Sequence, residues 1–269
     1  MLAFAANSVL CRLALSDSSN DPVSFTILRL LSGAVVLSLF FIKSKKPHKL
    51  NLDSKAILAP ILLLSYALFF SLSYVQISAG LGALILFSAV QITMILFSLF
   101  KGQKLTKREG LGFLIAGAGF IYLVSPGLHR PPPISSAFMG LAGVSWGIYS
   151  LLGQNTSDPT FSTSRNFILT VPILLLILFF HPLTLNTNAY KLAMLSGVFS
   201  SGLGYVLWYW VLKYLRTSTA AIIQLSVPVI AAVNGILFLG EPMSLRLVIS
   251  SFFIFGGILL KIFAQVKSD

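Results

Sequence analysis

Charge is scarce in this chain, and acid is scarcer than base. Only 10% of the 269 residues are Asp, Glu, Lys or Arg, against roughly 25% in soluble domains. Seven of them are acidic, and residues 56–100, 192–212 and 217–240 carry no charge of either sign. Cys11 is the single cysteine, which excludes an intrachain disulfide and a paired-cysteine metal site. His48, His129 and His181 have no neighbours at ligand spacing, so no metal or other cofactor is expected. No glycine-rich phosphate loop, HExxH or GxSxG occurs, so neither ATP hydrolysis of the Walker type nor a recognisable enzyme is expected. The period-2 alternation of a membrane barrel is missing as well.

What is present is apolar length. A hydrocarbon layer of about 30 Å needs about 20 apolar helical residues. Backbone groups cannot stay unpaired there, so helices are the expected form. The pattern predicts an all-α integral membrane protein with ten transmembrane helices. They fall near 2–15, 23–42, 57–76, 80–100, 107–125, 134–153, 164–181, 190–212, 217–239 and 243–263. Gln76, Ser78, Gly80 and Gly82 suit a tight turn between the third and fourth. The first span is read as a short helix, because Asn7 and Arg12 interrupt it and no basic segment precedes it as in a signal peptide.

The net charge of +12 is an orientation signal. Lys43, Lys45, Lys46, Lys49, Lys55, Lys101, Lys104, Lys107, Arg108, Arg165, Lys213, Arg216, Lys261 and Lys267 fall on one side, and Arg130, Lys191 and Arg246 on the other. The positive-inside rule then places both termini in the cytoplasm of a cell with this chain in its inner membrane. No soluble basic domain is long enough to bind nucleic acid.

The chain also repeats. A shift of 138 residues lays Ala83 on Ala221, Ile85 on Ile223, Ser88 on Ser226, Ile92 on Ile230 and Gly119 on Gly257. It also lays Leu99, Phe100 and Gly102 on Leu237, Phe238 and Gly240. This predicts two five-helix repeats, residues 1–127 and 134–269, joined at HRPPP. Five is odd, so the repeats are expected to be inverted, the plan of many secondary transporters. The segments MLAFAANSVLCRLAL, DPVSFTILRLLSGA, GALILFSAVQITM, AGVSWGIYSL, SGLGYVLWYWVLKYL and AAIIQLSVPVIAAVNGILFLGEPMSLR resemble the ten-helix EamA branch of the drug/metabolite transporter superfamily. Within it the chain is most similar to amino acid exporters of the YddG type. The resemblance implies alternating access without a cofactor. The chain departs from it at Gly102-Gln103-Lys104, where the Glu present at Glu241 in the second copy is replaced.

Polar groups inside the spans are the candidate substrate path. Arg29 lies within span two, where a charge costs roughly 2.5–3.5 kcal/mol at the helix centre. It either faces a cavity or snorkels to the outer surface. Gln91 and Gln224 carry both donors and acceptors, for substrate or for interhelical bonding. Pro228 is expected to free a carbonyl near Gln224 and act as a hinge. Trp146 and Tyr149 share one helix face, as do Tyr205 and Trp208. Asn7 and Tyr66 complete the expected path. Trp210 and Tyr214 suit a membrane-surface belt. Gly119 and Gly257, with Gly110, Gly112, Gly117 and Gly256, are expected to let spans five and ten pack closely, bracing a monomer or forming a weak homodimer. The expected function is export or uniport of small metabolites such as amino acids. Amphipathic drugs or nucleosides are the alternative cargo, and a scaffold that transports nothing is the alternative role. Membrane lipid and a small molecule are the expected partners.

Overall fold

The structure, a computed structural model, describes residues 1–43, 54–100, 102, 107–125, 131–153, 156, 158–212, 214, 223–224 and 226–266. Among these residues every regular element is a helix. In order they are α1 (Leu2–Leu15), α2 (Pro22–Lys43), α3 (Ser54–Tyr74), α4 (Ala79–Phe100), α5 (Lys107–Val124), α6 (Pro133–Gly153) and α7 (Pro159–Phe180). Next, α8 (Thr187–Leu195) continues through a π-helical stretch, Ser196–Leu203, into α9 (Gly204–Leu212). The last two are α10 (Ser226–Leu239) and α11 (Leu245–Val266). Among the described residues six runs are long and apolar enough to cross a membrane: Pro22–Leu39, Ile57–Tyr74, Ala79–Phe97, Pro133–Gly153, Pro159–Phe180 and Thr187–Val211. Leu2–Leu15, Gly110–Leu123, Ser226–Leu239 and Leu245–Leu260 are shorter apolar helices.

The packing is that of a protein solvated by lipid. Phe179, Phe180, Leu237, Phe238 and Phe252 stand exposed on the outer surface, while Asn7, Ser24, Arg29, Ser71, Thr163 and Ser201 are buried. A water-solvated bundle has the opposite distribution. The chain is therefore a multi-pass membrane protein.

Two helices begin earlier than the apolar pattern indicates. α7 starts at Pro159 instead of 164, because Asp158 caps it, accepting the Phe161 N–H at 3.0 Å. α8 starts at Thr187 because Asn186 accepts the Ala189 N–H at 2.8 Å. Asp21, also followed by proline, caps α2 in the same way through the Ser24 N–H at 2.6 Å. Gly80 and Gly82 are not turn residues, since α4 has already begun at Ala79. A Cβ at Gly80 would overlap Ala232 of α10, and one at Gly82 would overlap the Tyr74 ring. Residues 44–53, 126–130 and 215–222, most of the KGQKLT turn and Lys267 lie outside the described residues.

Gly102 and Gly240, aligned by the 138-residue shift, both have positive φ, 82° and 62°. They follow the ends of α4 and α10, where only glycine takes this conformation without strain. α5 packs mainly on α11. There Gly119 lies under Phe253 and Ile254, and Gly257 lies against Gly112 and Ala116. Gly110, Gly117 and Gly256 have open space where a Cβ would stand, so these three are not needed for that contact. The remaining helices surround a common interior in which α3 and α4 meet α6, α2 meets α7 and the π-helical stretch, and α1 meets α8 and α10.

Candidate functional site

The centre of that interior is set by backbone contact. A side chain at Gly197 would overlap the Arg29 carbonyl and Ser32 Oγ, and one at Gly33 would strike the Phe167 ring and come within 3.0 Å of the Gly197 carbonyl. With glycine at both positions, α2 and the π-helical stretch lie directly together. The π register bonds residues five apart instead of four and turns the following side chains. This brings Ser201 to Arg29, whose Nε donates to Ser201 Oγ at 2.8 Å.

Arg29 does not snorkel. Its side chain is fully buried. Nη2 donates to Tyr205 OH at 3.0 Å and more weakly to Tyr66 OH at 3.4 Å. The guanidinium carbon lies 5.0 Å from the Phe70 ring centre and 5.4 Å from that of Tyr66, within cation–π range. Nη1 has no hydrogen-bond partner. Every described partner of this cation is neutral.

Aromatic rings build the walls. Trp146 lies 4.7 Å from Tyr205 and 5.0 Å from Tyr66, ring centre to ring centre. Phe4 stands edge-on to Trp146, Tyr205 and Trp208 at 5.7–5.9 Å. Asn7 closes the α1 side, donating to Tyr66 OH at 3.3 Å and accepting from Ser196 Oγ at 2.6 Å. A small cavity remains, lined by Phe4, Ser8, Tyr66, Phe70, Trp146 and Tyr205 among others. Tyr149 extends the wall away from Arg29: its ring is 5.5 Å from Trp146, and its hydroxyl accepts from Asn166 Nδ2 at 3.2 Å. Asn166 Oδ1 and Trp208 Nε1 are buried without partners. Of the residues singled out in the sequence, Asn7, Arg29, Tyr66, Trp146, Tyr149, Tyr205 and Trp208 thus form one connected cluster. Phe4, Phe70, Ser196 and Ser201 also belong to it and carry no signal in the sequence, being ordinary membrane-helix residues.

The two glutamines stand elsewhere. Gln91 lines a cleft with Ser88, Gly112, Phe120, Ile254 and Gly257, on the side where α4 meets α5 and α11. Gln224 is buried just before α10, with its Oε1 unpaired. Among the described residues no hydrogen bond joins either glutamine to the Arg29 cluster. Pro228 lies near the start of α10, with Ile223 and Gln224 also helical before it, and Ser226 Oγ donates to the Ile223 carbonyl at 2.7 Å. Trp210 and Tyr214 are exposed with rings 5.3 Å apart, as a surface belt requires.

Contacts at the other end of α1 were hidden by sequence distance. Arg12 Nε meets Glu241 Oε1 at 3.3 Å, and its Nη1 donates to the carbonyls of Tyr74 and Val75 at 2.9 and 2.8 Å. Glu241 Oε2 accepts the Ala79 N–H at 2.8 Å. One ion pair therefore ties α1, the turn between α3 and α4, and the end of α10. Nearby, the 16–21 loop is bound to the 181–186 loop. Asn20 Oδ1 accepts the Asn186 N–H at 2.7 Å, Asp21 Oδ2 contacts His181 Nε2 at 2.9 Å, and Ser24 Oγ accepts the Thr184 N–H at 3.0 Å. Partial burial raises the Asp21 pKa, but bonds from the Ser24 N–H and His181 outweigh it and hold the carboxyl below its ordinary range.

Comparison with known proteins agrees with this architecture. The EamA-like transporter family matches residues 1–125 and again 134–263. An uncharacterized protein of Pseudomonas aeruginosa is 44% identical over 262 residues, 97% of this chain and 91% of its own. An uncharacterized transporter of Archaeoglobus fulgidus is 25% identical over 256 residues, 92% of this chain and 89% of its own. The uncharacterized transporter YoaV of Bacillus subtilis is 28% identical over 260 residues, 90% and 87% of the two chains. A protein of known crystal structure shares the fold at a TM-score of 0.67 and 17% identity, over 97% of this chain and 96% of its own. Two family matches that together span nearly the whole chain, on a helical bundle solvated by lipid, place it plainly: the chain belongs to the EamA-like transporter family, as a multi-pass membrane transporter.

Proposed function

We propose that the chain is a secondary transporter that exports small amphipathic metabolites, of about the size of an amino acid, by alternating access. Residues 1–127 and 134–269 form two inverted five-helix repeats in the inner membrane, with both termini in the cytoplasm. The observation that carries this reading is the Arg29 cluster. It is a buried cation beside a cavity, walled by aromatic rings contributed by both repeats. The substrate path runs through Asn7, Arg29, Tyr66, Trp146, Tyr149, Tyr205 and Trp208. Gln91 and Gln224 lie apart from it, with Gln91 Nε2 and Gln224 Oε1 buried and without hydrogen-bond partners among the described residues.

The contact pattern supports the repeat. Under the pairing α1/α6, α2/α7, α3/α8–α9, α4/α10 and α5/α11, each principal contact has its counterpart. The contact of α3 with α6 corresponds to that of α8 with α1, and the contact of α4 with α6 to that of α10 with α1. The contacts α2 with α7, α4 with α10 and α5 with α11 map onto themselves. The Gly119 contact with Ile254 maps onto the Gly257 contact with Ala116 by the same 138-residue shift. An odd number of spans per repeat makes the halves antiparallel. The basic residues of the sequence, 14 against 3 between the two sides, support the orientation. On that orientation Arg12, Glu241 and the 16–21 and 181–186 loops lie at the outer end, where their contacts tie the helices together.

The test is flux. The purified protein in liposomes is loaded with amino acids, nucleosides, organic cations and carboxylates in turn, and exchange of labelled compound is followed. Saturable exchange of at least one class is expected. Absence of exchange for every class, with the protein folded, overturns the reading in favour of a scaffold. Topology is tested separately. Cys11 is replaced by serine and single cysteines are placed at Ser18, Lys46, Leu128 and Ser268. On intact cells an impermeant maleimide is expected to reach positions 18 and 128 only. Labelling of 18 and 128 from opposite sides overturns the inverted arrangement.

A further inference from the structure

The charge balance of the Arg29 cluster narrows the cargo. Resting on the transporter reading above, we propose that the substrate is a small organic anion, a monocarboxylate with an apolar or aromatic body, and that Arg29 is its counter-ion.

A guanidinium keeps its charge under all physiological conditions. In an apolar interior an ion without an opposite charge is held at a large cost, and hydroxyl partners return only part of it. Arg29 is in that position. Its described partners are Ser201, Tyr205, Tyr66 and the Phe70 ring, all neutral. Helices α1, α3, α4, α6 and α10 hold no acid, and Glu241, just beyond α10, is already held by Arg12 and the Ala79 N–H. On α2 and α7 the acids are Asp21 and Asp158, at the helix ends, where each caps its own helix. Among the described residues the cluster therefore carries one uncompensated positive charge. It also has one unused donor, Nη1. Tyr66, Phe70 and Tyr205, which touch the guanidinium, also line the small cavity, and Phe4 and Trp146 give it an apolar wall. A carboxylate at Nη1 would supply the missing charge, and its organic body would meet rings.

The same inventory argues against an ammonium group in the ligand. No described carboxylate faces the cavity. The side-chain oxygen of Asn7 that could accept from an ammonium is occupied by Ser196 Oγ at 2.6 Å. A positive group would stand next to Arg29 with no described carboxylate to balance it. Anions should therefore be preferred over zwitterions of the same shape, and zwitterions over cations.

The experiment uses the full-length protein in liposomes and matched ligands that differ only in the polar head. These are 3-phenylpropionate, phenylalanine, 3-phenylpropionamide and 2-phenylethylamine, with butyrate, butyramide and butylamine as an aliphatic set. Binding is read from Trp146 and Trp208 fluorescence, and transport from exchange. The carboxylates are expected to bind and move at least about tenfold better than the amides and amines, as a charge-assisted contact to a buried guanidinium requires. Arg29→Gln should abolish the preference for the acid over the amide, while Arg29→Lys should keep part of it. Equal or better handling of the amide or the amine by the wild-type protein overturns the proposal, and that comparison needs no variant to fold. So does a folded Arg29→Gln variant that still prefers the acid. If other classes move while no carboxylate does, the anion assignment fails and the transporter stands. If nothing moves, both fail.

Discussion

Arg12 and Arg29 lie on adjacent helices of one bundle, and the protein treats them oppositely. Arg12 has a carboxylate, two carbonyls and partial exposure. Arg29 is fully buried, bonded to three hydroxyls, packed on two rings, and has no acid beside it among the described residues. A cation with its charge balanced inside the protein belongs to the architecture. A cation that the protein leaves unbalanced at the junction of its two halves is suited to something that comes and goes. The difference shows that an arginine in a membrane helix cannot be assigned a role from its residue type or its depth. Its counter-charge decides.

The comparison breaks most clearly if the two arginines are neutralised in turn. Arg29→Gln is expected to reduce exchange of the transported compound to a tenth or less, a loss of about 1.4 kcal/mol or more in transition-state terms. Its thermal stability should change little, because the residue removed is a buried charge without an acid partner. Arg12→Gln should behave in the opposite sense. It strands Glu241 and is expected to destabilise the fold by about 1–3 kcal/mol while retaining more exchange than Arg29→Gln. Both are read from exchange at equal reconstituted abundance and from thermal unfolding in detergent. If both variants lose stability and exchange in the same proportion, the two arginines are structural alike.

A second effect, smaller than that, concerns closure. Cys11 is fully buried, one residue before Arg12, with its sulfur 3.9 Å from Ser71 Oγ. On the proposed orientation it is a native reporter of whether the outer end opens. Glu241→Gln removes the ion pair and weakens the bond to the Ala79 N–H. Labelling of Cys11 by an impermeant maleimide from outside is expected to accelerate severalfold, in line with a population shift of about 1 kcal/mol. An unchanged rate would mean that the ion pair fixes the loops without holding the outer end shut.

Much of this was legible from residue types and spacing. Apolar length located the helices, and Arg29 was conspicuous because a charge inside such a run is expensive. The aromatic pairs on α6 and α9 were found from their i,i+3 spacing. That Gln91 and Gln224 stand apart from the Arg29 cluster was not legible, for a physical reason. In a helix that is apolar all round, a single polar residue does not reveal which neighbour it faces, and Gln91 turns toward α5 and α11. The early starts of α7 and α8 were missed because polar first turns resemble loops, although Asp158-Pro159 is itself a start signal. The Arg12–Glu241 pair joins residues 229 positions apart, and no local pattern encodes it. Nor does composition mark the π-helical stretch, which depends on the contact at Gly33 and Gly197.

The smallest effect tests whether the outer end depends on Arg12 alone. Asp21 caps α2 through the Ser24 N–H and also meets His181, so it ties the 16–21 loop to the end of α7. A carboxylate can only accept, so the His181 nitrogen facing it carries the proton. Burial works against the charged form of Asp21, but these bonds prevail and its pKa is lowered. A lowered carboxyl pKa stabilises the fold fully above the unfolded-state value, and the contribution fades as the pH drops through the folded-state value. The group is partly exposed, so the contribution is screened and should amount to about 0.5–1 kcal/mol. Thermal unfolding of the wild type should lose this increment on acidification below about pH 4, the ordinary aspartate range. Asp21→Asn should lower stability slightly at neutral pH, because asparagine still caps a helix but brings no charge. It should also show a shallower acid limb. An acid limb identical in the two proteins would remove Asp21 from the outer closure and leave the Arg12–Glu241 pair as its main support.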